Sequence, residues 1–174
     1  MNTLFRRLLG TRLDVEMKQL LRSAETLARS FSHDYVGVEH AFRSVRGLAP
    51  SHSALEMIAR LPIDIPSFWR DLENEAKVVT GRPIPLDLPY TPRLQHTLRL
   101  DHRLAKDRKK DEVTISHFIG AVAIENASLV AQVYRRHLQA KGHMCTFQDA
   151  AAQYFNLLMS APQVLMFEAP LTQK

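Results

Sequence analysis

Eight histidines, one cysteine and 18 acidic residues are the groups on this 174-residue chain with which chemistry could be done. A zinc site needs His or Cys ligands at short paired spacings, as in H-E-x-x-H or close cysteine pairs. His33, His40, His96, His102, His117, His137 and His143 show no such spacing, so no metal is expected. Cys145 follows Met144 and has no neighbouring base, so it reads as a small hydrophobe rather than a nucleophile. No G-x-x-x-x-G-K-[ST] loop occurs to cradle a phosphate. Glu16 and Glu25 fall on the polar side of an amphipathic pattern, where carboxylates are usually solvated. The chain is therefore expected to be no enzyme and to need no cofactor.

A different set of residues stands out by position. Asp34, Tyr35 and Glu39 lie at the loop and opening turn of a short helical pattern, and Asp111 and Glu112 precede a second one. A carboxylate there is favoured by the helix dipole, which makes local capping one role. An acidic contact for a protein partner, beside Tyr35 and Val36 expected to be exposed, is the other. His40 and His117 sit at the third position of these helices, where an imidazole can satisfy a free N–H.

The elements that must position these residues are repeated. The stretch His33–Val45 returns 77 residues later as Lys110–Val122, without a gap from Asp14/Thr91 onward. Eight of 32 aligned pairs are identical, among them Leu21/Leu98, Asp34/Asp111, Val36/Val113 and His40/His117, where about two are expected by chance. A duplication of this length sets the fold before any other feature does.

In each copy a long helix comes first. Met17, Leu20, Leu21, Ala24, Leu27 and Ala28 follow the i, i+3, i+4 pattern after Asp14, a good N-cap. Leu94, Leu98, Leu104 and Ala105 repeat that stripe after Thr91-Pro92. A loop and a short helix follow, with Gly37 and Thr114 at the cap positions. Ser53-Ala54-Leu55-Glu56 has capping-box spacing and predicts Ser53 as the cap of a third helix. Asp64-Ile65-Pro66 opens a fourth, running to Val79. In the second copy, Leu129–Leu138 and Phe147–Leu158 carry the third and fourth helices. The fold class expected is all-α: two pseudo-symmetric four-helix repeats forming one compact eight-helix domain. The boundaries expected are an extension over 1–12 with a short amphipathic stripe, repeat one over 13–79, a Pro- and Gly-rich linker over 80–90, repeat two over 91–159 and a tail over 160–174.

Composition narrows the partners. At 45% hydrophobic and 24% charged, the chain has an ordinary globular balance. The net charge of +5 is spread along the sequence, and its densest run, Arg103 to Lys110, is interrupted by Asp107 and followed by Asp111-Glu112. That run suits a solvated helix end better than a nucleic-acid surface. No stretch approaches the ~20 apolar residues of a membrane span. A single cysteine fits a reducing compartment, and the cytoplasm is the expected location, with neither nucleic acid nor membrane as partner.

Two long helices, each followed by a loop and then V-G-V-E-H or V-T-I-S-H, resemble the Clp N-terminal (double Clp repeat) domain, of the type that precedes the ATPase rings of ClpA and ClpC. The resemblance covers roughly residues 13–159. Ser116 stands where ClpC-type domains carry a second glutamate. The resemblance implies a non-catalytic protein-binding module that recruits a ClpS-like adaptor or a protein substrate to an unfoldase and its protease. It also implies that Asp34, Tyr35, Glu39, Asp111 and Glu112 face the partner. A free-standing modulator of a Clp ATPase, or a ClpV-like accessory domain of a secretion system, is the alternative it leaves.

Overall fold

Polar caps decide where the helices begin. The computed structural model describes residues 12–77, 81 and 83–142. Helix α1 (Val15–Ser30) starts at Asp14, whose carboxylate accepts the Met17 N–H at 2.6 Å. Helix α2 (Val38–Ser44) starts at Gly37 and runs into a 3₁₀ turn at Val45–Gly47. Helices α3 (Ser53–Ala59) and α4 (Ile65–Ala76) complete the first half, α4 being capped by Asp64 with Pro66 in its first turn. Helix α5 (Pro92–Asp107) is capped by the Thr91 hydroxyl, which accepts the Leu94 N–H at 3.1 Å. Helices α6 (Ile115–Glu125) and α7 (Leu129–Ala140) follow, the latter capped by Ser128. The described residues are thus mostly helical. The amphipathic stretch before Arg12, Val79, Cys145, the helix expected over 147–158 and the tail lie outside them.

Three expectations are corrected. The cap of α3 is His52 and not Ser53: its Nδ1 accepts the Ala54 N–H at 3.1 Å, while its Nε2 lies 3.1 Å from Glu16. With the imidazole held from both sides, Ser53 becomes the first helical residue. Val36 is fully buried rather than exposed, because its backbone is drawn into a bridge with Tyr90. Glu25 is more than a solvated carboxylate, since it accepts the Tyr90 hydroxyl at 2.8 Å.

Several local devices recur 77 residues apart. Helices α1 and α5 both end with a non-glycine residue in the left-handed region, Ser32 (φ 58°) and Lys109 (φ 54°). Behind it, His33 N–H bonds Ala28 O at 3.0 Å and Lys110 N–H bonds Ala105 O at 2.9 Å, the 6→1 closure of a Schellman motif. Two short parallel pairings then cross between the halves. Strands β1 (Arg12–Leu13) and β2 (Glu112–Val113) pair with Leu13 opposite Val113, and Asp14 N–H donates to Val113 O at 3.1 Å. Tyr90 pairs with Val36, and Thr91 N–H donates to Val36 O at 3.0 Å. The residue before α1 thus meets the residue before the turn into α6, and the residue before α5 meets its counterpart before α2.

A continuous apolar core fills the space between the helices, with Met17, Leu21, Phe42, Phe68, Leu98 and Phe118 fully buried. Phe42 meets Phe68 edge-on at 6.2 Å, and Phe68 meets Tyr134 edge-on at 6.3 Å, tying α2, α4 and α7 together. Among the buried polar residues is a carboxylic acid. Asp101 on α5 is 0% exposed, and neither carboxylate oxygen has a hydrogen-bond partner among the described residues. Burial pushes its carboxyl up to about 8, so it is protonated at neutral pH. Its counterpart on α1 is Ala24. No helix of the described residues is long and apolar enough to cross a membrane.

Candidate functional site

The closure of α1 delivers His33 beneath the start of α2. From there the backbone is fixed at Val36, whose N–H donates to Pro89 O at 2.9 Å, so Tyr35 is held between two anchored residues. Its ring stacks on His33 at 5.2 Å and meets His40 edge-on at 5.7 Å. Burial and the carboxylates of Glu39 and Asp34 hold its phenol above the ordinary range.

His40 does what the third position of a helix allows. Its Nδ1 accepts the Gly37 N–H at 2.9 Å, so that nitrogen carries no proton. Its Nε2 must then carry one, and it lies 2.8 Å from His33 Nδ1, which accepts it. The tautomers of both rings follow from the single backbone donor. His40 is 0% exposed and His33 1%. Burial, reinforced by His33, lowers His40 to about 3. In the second half, His117 Nδ1 likewise accepts the Thr114 N–H at 3.1 Å, but Lys110 occupies the place of His33, and His117 Nε2 has no hydrogen-bond partner among the described residues.

Glu39 directly precedes His40 in the first turn of α2. Its carboxylate folds back toward its own N–H and over the α-carbon of Gly37, in the space that a Cβ at position 37 would take. A Cβ at position 37 would require that carboxylate to move. The equivalent residues are Thr114 and Ser116: where the cap has a Cβ, the carboxylate is gone. Burial raises the Glu39 carboxyl above its usual range, opposed by its own N–H and by the positive charge of Arg93.

Arg93 belongs to the other half, and this is the contribution that residue spacing did not disclose. Tyr35, Val38 and Glu39 form one wall of an open groove of about 580 Å³; Pro92, Arg93, Leu129 and Gln132 form the facing wall. That second wall is held in place. Arg93 donates to the Ala127 carbonyl and lies 3.6 Å from Glu125, Gln132 donates to the same carbonyl at 3.1 Å, and Glu125 accepts the Ser128 N–H at 2.7 Å. The groove offers an aromatic ring, aliphatic flanks, one half-buried acid and one arginine, the mixture that suits a peptide segment. Asp34 is half-buried in the same loop.

Asp111 and Glu112 are placed elsewhere. Both are exposed, and Glu112 pairs through its backbone with Arg12, close enough for its charge to raise the Asp14 carboxyl, which burial raises more. The five acidic-edge residues therefore divide between two edges, Asp34, Tyr35 and Glu39 on one and Asp111 and Glu112 on the other. Among the described residues no three His, Cys, Asp or Glu side chains are grouped to hold a metal ion.

The described residues form a mostly helical arrangement with an open groove between its two halves. The chain belongs to the Clp repeat (R) N-terminal domain family, which its sequence matches over residues 12–137. Solved structures share the fold at low identity. The N-terminal domain of Hsp104 from Candida albicans is similar with a TM-score of 0.65 and 14% identity, over 85% of this chain and 91% of that one. The N-domain of ClpV from Vibrio cholerae is similar with a TM-score of 0.65 and 13% identity, over 89% of each chain. A ClpV N-domain solved in complex with a VipB peptide has a TM-score of 0.64 and 13% identity, over 89% of this chain and 91% of that one. No curated protein sequence matches the chain.

Proposed function

We propose that this chain is a non-catalytic protein-binding module of the Clp ATPase N-domain type, which captures an adaptor or substrate protein for ATP-dependent unfolding. The observation that carries the reading is the groove itself, with Tyr35 and Glu39 on one wall and Arg93 and Gln132 on a wall locked by its own hydrogen bonds. Family membership supports it, and so does the peptide bound by a similar ClpV N-domain. In this reading the module comprises eight helices in two four-helix repeats, 13–79 and 91–159, joined by 80–90, and it works in the cytoplasm. A ClpS-like adaptor is the first partner to test. The ClpV-type complex favours a second reading, in which the partner is a peptide of a secretion-system component.

Calorimetric titration with a ClpS-type adaptor and with a VipB-type peptide separates the two. The double substitution Asp34→Ala, Glu39→Ala is expected to weaken the true partner at least tenfold, with a thermal melt shifted by no more than the ~0.3–1 kcal/mol a helix-terminal carboxylate contributes. Asp111→Ala, on the other edge, is expected to matter less. Equal loss from both edges would show a contact spanning both halves, and no loss from either would remove the acidic edge from the reading.

A further inference from the structure

The two buried imidazoles under the groove have no place in peptide capture as described, yet their hydrogen bonds leave no room for another proton. His40 Nδ1 is taken by the Gly37 N–H and His33 Nδ1 by the His40 Nε2–H, at 2.9 and 2.8 Å. Both other ring nitrogens already carry hydrogen. A third proton on the pair must therefore displace one of the two bonds, whichever ring receives it. If it lands on His40 Nδ1, the Gly37 N–H loses its acceptor at the start of α2. If it lands on His33 Nδ1, two N–H groups face each other at 2.8 Å.

We propose that the His33–His40 pair is a proton-operated latch on the groove: neutral, it holds Tyr35 and the α2 start in place, and one added proton releases them. Tyr35 rides on His33 and closes against His40, so the ring that lines the groove moves when either imidazole does. Glu39 Oε1 stands 3.5 Å from His40 Nδ1 and is poised to accept from an imidazolium in place of the Gly37 amide. Charged groups from three elements of the described residues surround the pair. From the loop and α2 they are Asp34, Glu39 and Arg43; Arg43 and Lys77, the residue that ends α4, lie over Phe31, whose ring is 5.9 Å from His33 and 6.1 Å from His40, and Glu73 pairs with both cations. Arg93 of α5 bears on Glu39. The second half has no equivalent, because Lys110 replaces His33 and the Thr114 hydroxyl, 2.9 Å from His117 Nδ1, offers an alternative acceptor.

The sign follows from the two states. An opened loop exposes His40 at its ordinary 6.5, and the closed one keeps it at about 3. Opening therefore becomes about tenfold easier for each pH unit below 6.5 across that window. The regulation of capture rests on the functional reading above, but the latch is measurable without a partner. In the full chain, amide hydrogen exchange at Gly37, corrected for intrinsic rates, is expected to lose about tenfold in protection per pH unit from 6.5 to 4.5. His40→Gln keeps an acceptor for Gly37 and a donor for His33 without a titrating group, and is expected to flatten that slope. Protection at Gly37 that does not follow pH, or a slope that survives His40→Gln, would overturn the latch. The wild-type titration decides alone if the variant fails to fold. Binding of a ClpS-type adaptor at pH 7.5 and 5.5 is the second arm: no binding at either pH defeats the functional reading and leaves the latch standing, whereas equal binding at both defeats the link between them.

Discussion

Gly37 and Glu39 are one unit written in two residues, since the carboxylate of the second sits where the first has no side chain. The second half writes the same place as Thr114 and Ser116. Transplanting one into the other is therefore expected to be non-additive: in urea unfolding, Gly37→Thr with Glu39→Ser should be more stable than the sum of the single changes by about 1 kcal/mol, the size usual for residues in contact. Asp101 invites a separate test. Its folded-state carboxyl, raised from 3.8 to about 8, keeps a proton that the unfolded chain releases. Stability tied to it is present below pH 3.8 and lost as pH rises from there through 8. Asp101→Ala, which copies Ala24, is expected to stabilise by about 1–3 kcal/mol at pH 8.5, the usual cost of an unsatisfied buried group. At pH 4 the gain should be markedly smaller, as chemical denaturation at the two pH values would show.

Among the elements, the helix starts carried the plainest signals, and the structure places them at Asp14, Gly37, Asp64, Thr91 and Thr114 as the residue types require. The role of His40 at its helix start was equally readable, because the third position of a helix has a free N–H to meet. What spacing did not carry was anything set by a distant residue. Ser53 looked like a cap until Glu16, 36 positions away from His52, held the competing imidazole. Val36 looked exposed until Tyr90 bridged to it, and the wall of the groove that holds Arg93 and Gln132 comes from a segment with no periodic link to Tyr35. The two long-helix caps also differ in worth. Burial and the charges of Glu16 and Glu112 raise Asp14, which weakens its ionised form as a cap, whereas the Thr91 hydroxyl is neutral. Thr91→Ala is expected to cost about 1 kcal/mol in urea unfolding and Asp14→Ala less.

For the whole molecule, the decisive feature is that the crossing pairings, Leu13 with Val113 and Tyr90 with Val36, tie each half to the other. Tyr90 adds its hydroxyl on Glu25, and Arg29 reaches the carbonyls of Pro85 and Leu86. Neither half keeps these contacts alone. Residues 1–80 and 81–174, produced as separate peptides, are expected to show little helix singly and to regain it on equimolar mixing, as circular dichroism would show; two independently helical halves would refute this. The swap of partners at a 77-residue offset is also the pattern of a closed dimer, in which one patch on each subunit meets the other's counterpart. The chain is in that sense a tethered pair, and the segment joining the halves serves to raise their effective concentration. A single cut between Gly81 and Leu86, where the described residues are exposed, would then turn that tether into a bimolecular association held by the same pairings.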